Sequence, residues 1–282
     1  MLLIVAQNLY LLKLVLCANL TMVRKLTGGR KMDSLKNKTV VITGAGNDRG
    51  IGYAVALALV RAGAEKAFLL DLHQRIISRD KFTCWTHDVT DFDSVLRISK
   101  KIHENCGAID ILVNCAAILE LPKDMNDYAG KKGMETMMSM FNVNVVGACN
   151  WYCAVIPGMI ERNEGCIINI TSIAGGRGRP GNSIYEATKA ALTSFTLSWA
   201  QELESKAPNV RVNAVAPGFV KTEMTDKLGA KARKRTLQDV VPSHRTTEAK
   251  EIADVVLSVV RCSALNGTVI AATSGKQKII TK

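Results

Sequence analysis

The sequence predicts an α/β fold in which a doubly wound parallel sheet forms a single domain. Short apolar runs rich in β-branched residues alternate with Ala- and Leu-rich helical segments, and polar or turn residues stand at the ends of successive runs. Those residues are Asp71, Asp88, Asn114, Ser172 and Pro217. Because parallel strands bring their carboxyl ends to one edge of a sheet, a Rossmann-like arrangement would place a ligand site at that edge.

The first predicted strand is Thr39–Thr43, and a helix begins shortly after it and runs to about Ala62. The glycines of the intervening loop are Gly44, Gly46, Gly50 and Gly52. Glycines let a backbone approach a pyrophosphate closely, and the free N–H groups of a helix N-terminus attract the anion. The next strand, Lys66–Leu70, ends at Asp71, where a carboxylate can accept hydrogen bonds from an adenosine ribose. This pattern predicts a dinucleotide site.

The remaining elements follow from the same alternation. The further predicted strands are Cys84–His87, Ile109–Val113, Gly165–Ser172 and Val210–Val215. The further predicted helices are Asp91–Cys106, Met134–Asn163 and Ser183–Lys206. Only seventeen positions separate Asp71 from Asp88, which is too few for a helix between the second and third strands. We therefore expect the adenine side of the dinucleotide site to be open.

Three side chains at the fifth strand and the helix after it predict chemistry. Tyr185 and Lys189 stand at i and i+4, so one helix face carries both, and the ammonium can stabilise the ionised phenol. Ser172 comes from the end of the preceding strand and can hold the same substrate oxygen. The Tyr-x-x-x-Lys pattern is also typical of a solvated helix face, but its strand, loop and helix context favours a site for carbonyl and alcohol chemistry.

Composition limits the other function classes. A chain of 282 residues with 48% hydrophobic content fits one large domain. The eight cysteines show no metal-ligand spacing with the four histidines, which predicts reduced, mostly buried thiols and no metal site. The net charge of +12 has no aromatic-rich basic stripe beside it, so we expect no nucleic-acid partner.

The N-terminal residues 1–35 form an extension before the predicted domain, 36–282. Residues 2–23 are apolar but carry Gln7, Asn8, Lys13 and Asn19, unlike a clean membrane span. Basic residues without acids are compatible with a mitochondrial presequence or an interfacial membrane anchor. Alternatively, Met32 is a natural start and residues 1–31 add nothing to the fold. The last interpretation is favoured, and it predicts an intracellular, cytoplasmic protein that contacts no membrane.

From about Lys36 to Gly275 the chain resembles the short-chain dehydrogenase/reductase family. The matching segments are Thr43-Gly44 with Gly50-Ile51-Gly52, Asp88-Val89, Asn114-Cys115-Ala116-Ala117, Asn144, the Ser172/Tyr185/Lys189 set, and Asn213 to Gly218 with Thr222. The resemblance implies that Tyr185 is the general acid and base and that Ser172 polarises the substrate carbonyl. It further implies that Lys189 binds the nicotinamide ribose and lowers the tyrosine pKa. Asn144 would bend its helix and hold a water that links Lys189 to solvent.

The resemblance also implies a nicotinamide cofactor. The residues expected to bind it are Gly44, Arg49, Gly50, Ile51, Gly52, Asp71, Asp88, Val89, Asn114, Ala116, Tyr185, Lys189, Pro217, Gly218 and Thr222. Asp71 would accept from the ribose hydroxyls of NAD and repel the extra phosphate of NADP, whereas Arg49 could neutralise that phosphate. Leu72 supplies no second cation. We predict NAD, with NADP as the alternative.

The chain departs from the family pattern around the cofactor and at the C-terminus. Five residues separate Gly44 from Gly50, which predicts an enlarged loop around Asn47-Asp48. Ala117 puts a methyl group where backbone would approach the cofactor, and Thr273-Ser274-Gly275 lacks an acid often found in subunit contacts. These changes leave open a second function, a nonenzymatic dinucleotide sensor or interaction protein on the same fold.

The expected substrate is a small alcohol or ketone. The enzyme would then be a polyol or steroid dehydrogenase, a general carbonyl reductase, or a 3-oxoacyl thioester reductase. The segment Lys227–Arg235 lies where the family has a substrate lid, and it is either a solvated basic helix or an attractor for an anionic carrier. Arg177 and Arg179 could also attract such a carrier. The resemblance implies a homotetramer or homodimer.

Overall fold

The structure is a computed structural model that describes residues 35–120, 123–226 and 245–274. Its strands are β1 (Thr39–Thr43), β2 (Lys66–Asp71), β3 (Phe82–Thr86), β4 (Ile111–Asn114), β5 (Gly165–Ile170), β6 (Val210–Pro217), β7 (Val220–Lys221), β8 (Thr247–Glu248) and β9 (Val269–Ala272). Its α-helices are α1 (Ile51–Arg61), α2 (Phe92–Cys106), α3 (Lys131–Phe141), α4 (Gly147–Arg162), α5 (Ser183–Leu203), α6 (Glu223–Asp226) and α7 (Ala249–Arg261).

Seven of the strands form one sheet in the order β3-β2-β1-β4-β5-β6-β9. All of its neighbouring strands run parallel. Strand β1 pairs with β2 on one side and β4 on the other, so the strand order reverses at β1. Ligands of such sheets bind beyond the carboxyl ends of the strands at this reversal. The predicted doubly wound fold is confirmed.

Each face of the sheet is covered by helices. Successive side chains of β1 point to opposite faces, so neighbouring residues pack against different helices. Val40 and Ile42 are buried with the apolar residues of α1 and α7. Val41 is buried in a second cluster with α2, α4 and α5, which contains the fully buried Trp151. A strand covered on both faces needs a continuous apolar run, which is what β1 has.

The connection from β2 to β3 contains no helix, as the short spacing predicted. Residues 72–81 carry one isolated bridge, between Arg79 and Phe82. Leu72 and Ile77 are exposed there, with 53% and 82% of their surface accessible. The adenine side of the predicted site therefore has only a loop beside it.

The long helix predicted at Met134–Asn163 begins earlier, at Lys131, and is interrupted by a π-helical turn at Asn142–Val146. The combined segment 131–162 is long and apolar enough to cross a membrane, with a mean hydropathy of 1.4 over 18 residues. Its apolar residues include Trp151 and Met159, which are fully buried against the sheet. Their hydrophobicity therefore has a structural role in the core.

Several predicted bounds were off by a few residues. The third strand is Phe82–Thr86 and ends one residue before His87, whose buried side chain accepts from the indole N–H of Trp151 at 3.2 Å. The fifth strand ends at Ile170, and Ser172 instead caps a short 3₁₀ helix, Ile173–Gly176. The sixth strand is longer than predicted and reaches Pro217. The catalytic helix ends at Leu203.

The described cysteines are all free thiols, but the prediction that most are buried is wrong. Among them only Cys166 is buried, Cys153 is exposed, and the others are half-buried. Most of them lie on helices or in loops at the margins of the core, where a small side chain is partly covered. No group of three or more potential metal ligands occurs within the described ranges.

Candidate active site

The glycine loop after β1 packs directly on the loop after β4. Gly44 has φ +66°, and a Cβ there would lie 2.7 Å from the Cα of Ala116. A Cβ on Gly52 would lie 2.4 Å from the carbonyl oxygen of Gly44. The hydroxyl of Thr43 accepts from the backbone N–H groups of Cys115 and Ala116, each at 3.1 Å. Close backbone approach therefore explains why both positions need glycine.

Asp71 lies beside this loop, as predicted. One carboxylate oxygen accepts from the backbone N–H of Gly46 at 2.9 Å, and the other accepts from that of His73 at 2.9 Å. Helix α1 begins after Gly50, and no described side chain caps its N-terminus. The uncapped N–H groups, the bare glycine backbone and the carboxylate fit a dinucleotide, with the pyrophosphate at the helix and the ribose at Asp71.

The predicted enlargement of the loop brings it into contact with helix α6. Asn47 and Arg75 both donate to Glu223, and Arg49 pairs with Asp226. Arg49 was expected to be available for a cofactor phosphate, but its guanidinium is held by this carboxylate. The contact was not foreseen because 177 positions separate the two residues.

Ser172 stands near the phenol of Tyr185, since its side chain acts to lower the pKa of that phenol. The Ser172 hydroxyl accepts from the N–H of Ala174 at 3.1 Å. Burial raises the pKa of Tyr185 to about 12, although Ser172 and the charge of Arg179 oppose that rise. The predicted lowering of the phenol pKa is therefore wrong for the chain alone, because desolvation outweighs the charge of Arg179.

Lys189 lies beneath the tyrosine on the same face of α5. Its ammonium is 5.9 Å from the centroid of the Tyr185 ring and donates to the carbonyl oxygen of Ile170 at 3.0 Å. The residue is 2% exposed. Burial lowers its pKa to about 8, so the amine can gain and lose a proton near neutral pH.

Asn144 occupies the π-helical turn between α3 and α4 and is 1% exposed. Its amide oxygen accepts from the N–H of Ile118 at 2.7 Å, and its amide nitrogen donates to the carbonyl of Ile118 and to the hydroxyl of Thr188. Thr188 in turn donates to the carbonyl of Tyr185 at 2.7 Å. The predicted distortion of the helix is present, and Asn144 connects it to the catalytic helix. Its role in holding a water stays a prediction.

The other predicted cofactor residues lie along the carboxyl edge of the sheet or in the loops beyond it. Asp88 accepts from the N–H and the hydroxyl of Thr90, each at 2.8 Å. Asn114 donates to Asn169 at 2.9 Å, while its own amide oxygen is buried without a partner among the described residues. Val89 is buried, and Gly218 donates to the carbonyl of Ala272. Ile51 begins α1, and Thr222 lies between β7 and α6.

Sequence reasoning missed three groups at the site. Glu186 is 5% exposed, and it accepts from the guanidinium of Arg179 at 2.8 Å and from its backbone N–H at 2.9 Å. In the sequence, Glu186 directly follows Tyr185 and stands seven residues after Arg179, so its pairing with that arginine could have been predicted. Thr188 has no such signal, and neither does Cys115, whose pKa is raised to about 12 by burial.

Known proteins place this geometry in a family. A family model described as short chain dehydrogenase matches residues 38–233. The chain belongs to the short chain dehydrogenase family. It is 34% identical over 252 residues to the 3-oxoacyl-[acyl-carrier-protein] reductase FabG of Thermotoga maritima. The aligned region covers 86% of this chain and 98% of that protein.

Two further relatives extend the match. Carbonyl reductase family member 4 of Xenopus laevis is 33% identical over 236 residues, which are 82% of this chain and 95% of that protein. The crystal structure of gox2181 superposes with a TM-score of 0.78 at 27% identity and covers 86% of this chain and 98% of that one. The family resemblance, the Rossmann-like nucleotide-binding fold and an NAD(P)-dependent oxidoreductase activity on small molecules are confirmed. The nonenzymatic alternative is not favoured.

Some predictions lie outside the described residues. These are the lid segment Lys227–Arg235, the residue Gly275, and the N-terminal extension with its anchor, presequence and natural-start interpretations. The cytoplasmic location and the domain boundary stay predictions.

Proposed function

We propose that this chain interconverts a secondary alcohol and a ketone, with Tyr185 as the general acid and base. The observation that carries the proposal is the buried ammonium of Lys189, which lies 5.9 Å from the centroid of the Tyr185 ring, with Ser172 near the phenol. Two hydroxyls beside one cation can hold and protonate a single substrate oxygen.

The residues divide the reduction as follows. The nicotinamide, when bound, supplies a hydride to the carbonyl carbon. Ser172 donates a hydrogen bond to the carbonyl oxygen, and Tyr185 transfers its phenolic proton to that oxygen as the C=O π bond breaks. The phenolate left behind is stabilised by the charge of Lys189, whose pKa near 8 lets it pass on a proton from solvent. Oxidation reverses each step.

For the cofactor we propose NAD. The carboxylate of Asp71 stands where the adenosine ribose would lie and would repel an additional phosphate. Arg49 and Arg75 are near the same loop, but acids of α6 already neutralise both. Equal affinity for NADH and NADPH, measured by fluorescence titration, would contradict this preference.

For the substrate we propose a 3-oxoacyl thioester on an anionic carrier, ahead of a free carbonyl compound. Arg177 lies in the loop between the catalytic serine and tyrosine, is half-buried, and makes no ion pair within the described residues. Arg179 lies in the same loop. Arg179 is paired with Glu186, so Arg177 is the cation that suits a carrier with phosphate groups, and one of the relatives is a reductase of carrier-linked 3-oxoacyl groups.

The test is a turnover screen with NADH and NADPH over matched substrates that share one keto group. An acetoacetyl thioester of coenzyme A, an uncharged short thioester and a simple ketone distinguish the classes. We expect the highest kcat/KM for the coenzyme A thioester, and Arg177→Gln should raise its KM selectively. A ketone turned over as well as the charged thioester would favour a general carbonyl reductase.

We propose further that the chain is a homodimer or homotetramer. Val146, Phe195 and Leu197 lie on the long helices and are 42%, 38% and 39% exposed. Large exposed apolar side chains on neighbouring helices are typical of subunit contacts. Light scattering of the full chain would test this, and a monomer at micromolar concentration would contradict it.

A further inference from the structure

The segment 218–226, which contains β7 and helix α6, brings side chains across the carboxyl edge of the sheet to the glycine loop. It follows β6, while the glycine loop follows β1, and β4 and β5 lie between those two strands. With neighbouring strands about 4.8 Å apart, the distance spanned is roughly 14 Å. The predicted dinucleotide site lies at this edge of the sheet.

The contacts at the far end of the crossing are all charged or polar. Glu223 accepts from the guanidinium of Arg75 at 2.9 and 3.3 Å and also accepts from Asn47. Asp226 pairs with Arg49. Two acids of α6 therefore hold both arginines that flank the glycine loop.

The backbones of the two arginines lie next to the proposed position of the adenosine ribose. The backbone N–H of Arg75 donates to the carbonyl of Gly46 at 3.0 Å, and the N–H of Gly46 donates to Asp71 at 2.9 Å. Arg49 stands within the same loop, two residues after Asn47. A phosphate on the ribose 2′-oxygen would be within reach of flexible guanidinium groups at these positions.

We infer that Glu223 and Asp226 determine which dinucleotide this chain accepts, by holding Arg75 and Arg49 away from a 2′-phosphate. The inference rests on the proposed function, since it takes the groove to be a dinucleotide site. In this inference the acids are positioning residues that act through the arginines they hold. A 2′-phosphate must compete with two carboxylates for the same cations, whereas unphosphorylated NAD needs neither arginine.

The arrangement explains how a loop with two nearby arginines can serve an NAD site. The side chains involved are between 32% and 64% exposed, so solvent screens each ion pair and rearrangement is inexpensive. Selectivity is then a balance between competing anions, which substitutions on α6 can shift without altering the glycine loop.

The test measures binding, so it does not depend on finding the substrate. Glu223→Gln/Asp226→Asn should bind NADPH about tenfold more tightly than the parent chain, with little change for NADH. The same ratio should appear between 2′-AMP and 5′-AMP in competition titrations. Adding Arg75→Gln to the double variant should reverse most of the gain.

The matched control is Glu251→Gln, which removes an equally exposed acid paired with Arg245 at 2.7 Å, at the start of α7. It should leave the ratio of NADPH to NADH affinity unchanged. A double variant whose ratio also stays unchanged, while NADH binds normally, overturns the inference and leaves the proposed function intact. Failure of the parent chain to bind either nucleotide overturns both.

Discussion

Near Tyr185, Asn144 and Lys189 are buried and bonded to the backbone, whereas the two arginines beside the glycine loop are exposed and paired with acids of α6. Asn144 and Lys189 are 1% and 2% exposed, and both contact backbone carbonyl groups. Arg49 and Arg75 are 57% and 64% exposed in their side chains and contact carboxylates from a distant helix.

The contrast separates two kinds of control. When a buried polar group loses its partner, the free energy of unfolding falls by the full desolvation penalty of the group left behind. The residues around Tyr185, the catalytic half of the site, therefore tolerate little change. Exposed ion pairs are screened and contribute little each, so the adenosine half can change its ligand preference at small cost to folding. We therefore propose that the buried side chains fix the chemistry and that the exposed ion pairs set the choice of cofactor.

The largest expected effect is on the chemical step. Tyr185→Phe should lower kcat by about a thousandfold, because it removes the proton donor, while the dissociation constant for NADH stays within about twofold. Stopped-flow turnover and fluorescence titration measure the two quantities.

Tyr152→Phe is the matched control for that variant. Tyr152 is also buried, with a pKa raised to about 12, but it stacks on Trp199 at 4.0 Å. Its loss should leave kcat unchanged. Equal kcat for Tyr185→Phe and the parent chain would remove Tyr185 from the mechanism.

The second expected effect is on stability against pH. Lys189 has a pKa near 8 when folded and 10.5 as its ordinary value, so between these values the unfolded chain binds more protons and stability rises with pH. From pH 8 to 9.5 this contribution is on the order of 2 kcal/mol. Lys189→Met should lack that rise in urea unfolding. Tyr185 acts in the opposite direction between about pH 10 and 12, and Cys115 does so from about pH 9, so the comparison is made between the variant and the parent chain at each pH.

The exposed Lys206 supplies the control for the pH experiment. Lys206→Met should keep the full rise of the parent chain, because that side chain is exposed to solvent. An identical pH dependence in Lys189→Met and the parent chain would mean that the buried amine is already solvated, and the contrast between the halves would weaken.

Most of the catalytic half could be predicted because its signals are local. The i, i+4 spacing of Tyr185 and Lys189 and the strand end before Ser172 are short-range features. What failed there was the sign of the pKa shift of Tyr185, since burial depends on packing from several elements. The pairs of Glu223 and Asp226 could not be predicted, because each joins residues at least 148 positions apart through exposed side chains.

The third prediction concerns Asn144, in the π-helical turn between α3 and α4. Asn144→Ala should destabilise the chain by roughly 2–3 kcal/mol, because the N–H and C=O of Ile118 lose their partner in a buried site. Asn105→Ala, which removes an exposed bond to the carbonyl of Lys101, should cost less than about 0.5 kcal/mol. Similar costs for the two variants in urea unfolding would contradict the buried role.

The smallest expected effect tests the exposed half directly. Glu223→Gln/Asp226→Asn should reduce the free energy of unfolding by less than about 1 kcal/mol at low salt, since the pairs it breaks are largely solvated. In 0.5 M NaCl the difference from the parent chain should become smaller, because salt weakens exposed ion pairs. A loss as large as that of Asn144→Ala, persisting in salt, would mean that α6 is part of the folded core. The two halves would then differ in position and not in the kind of contact that builds them.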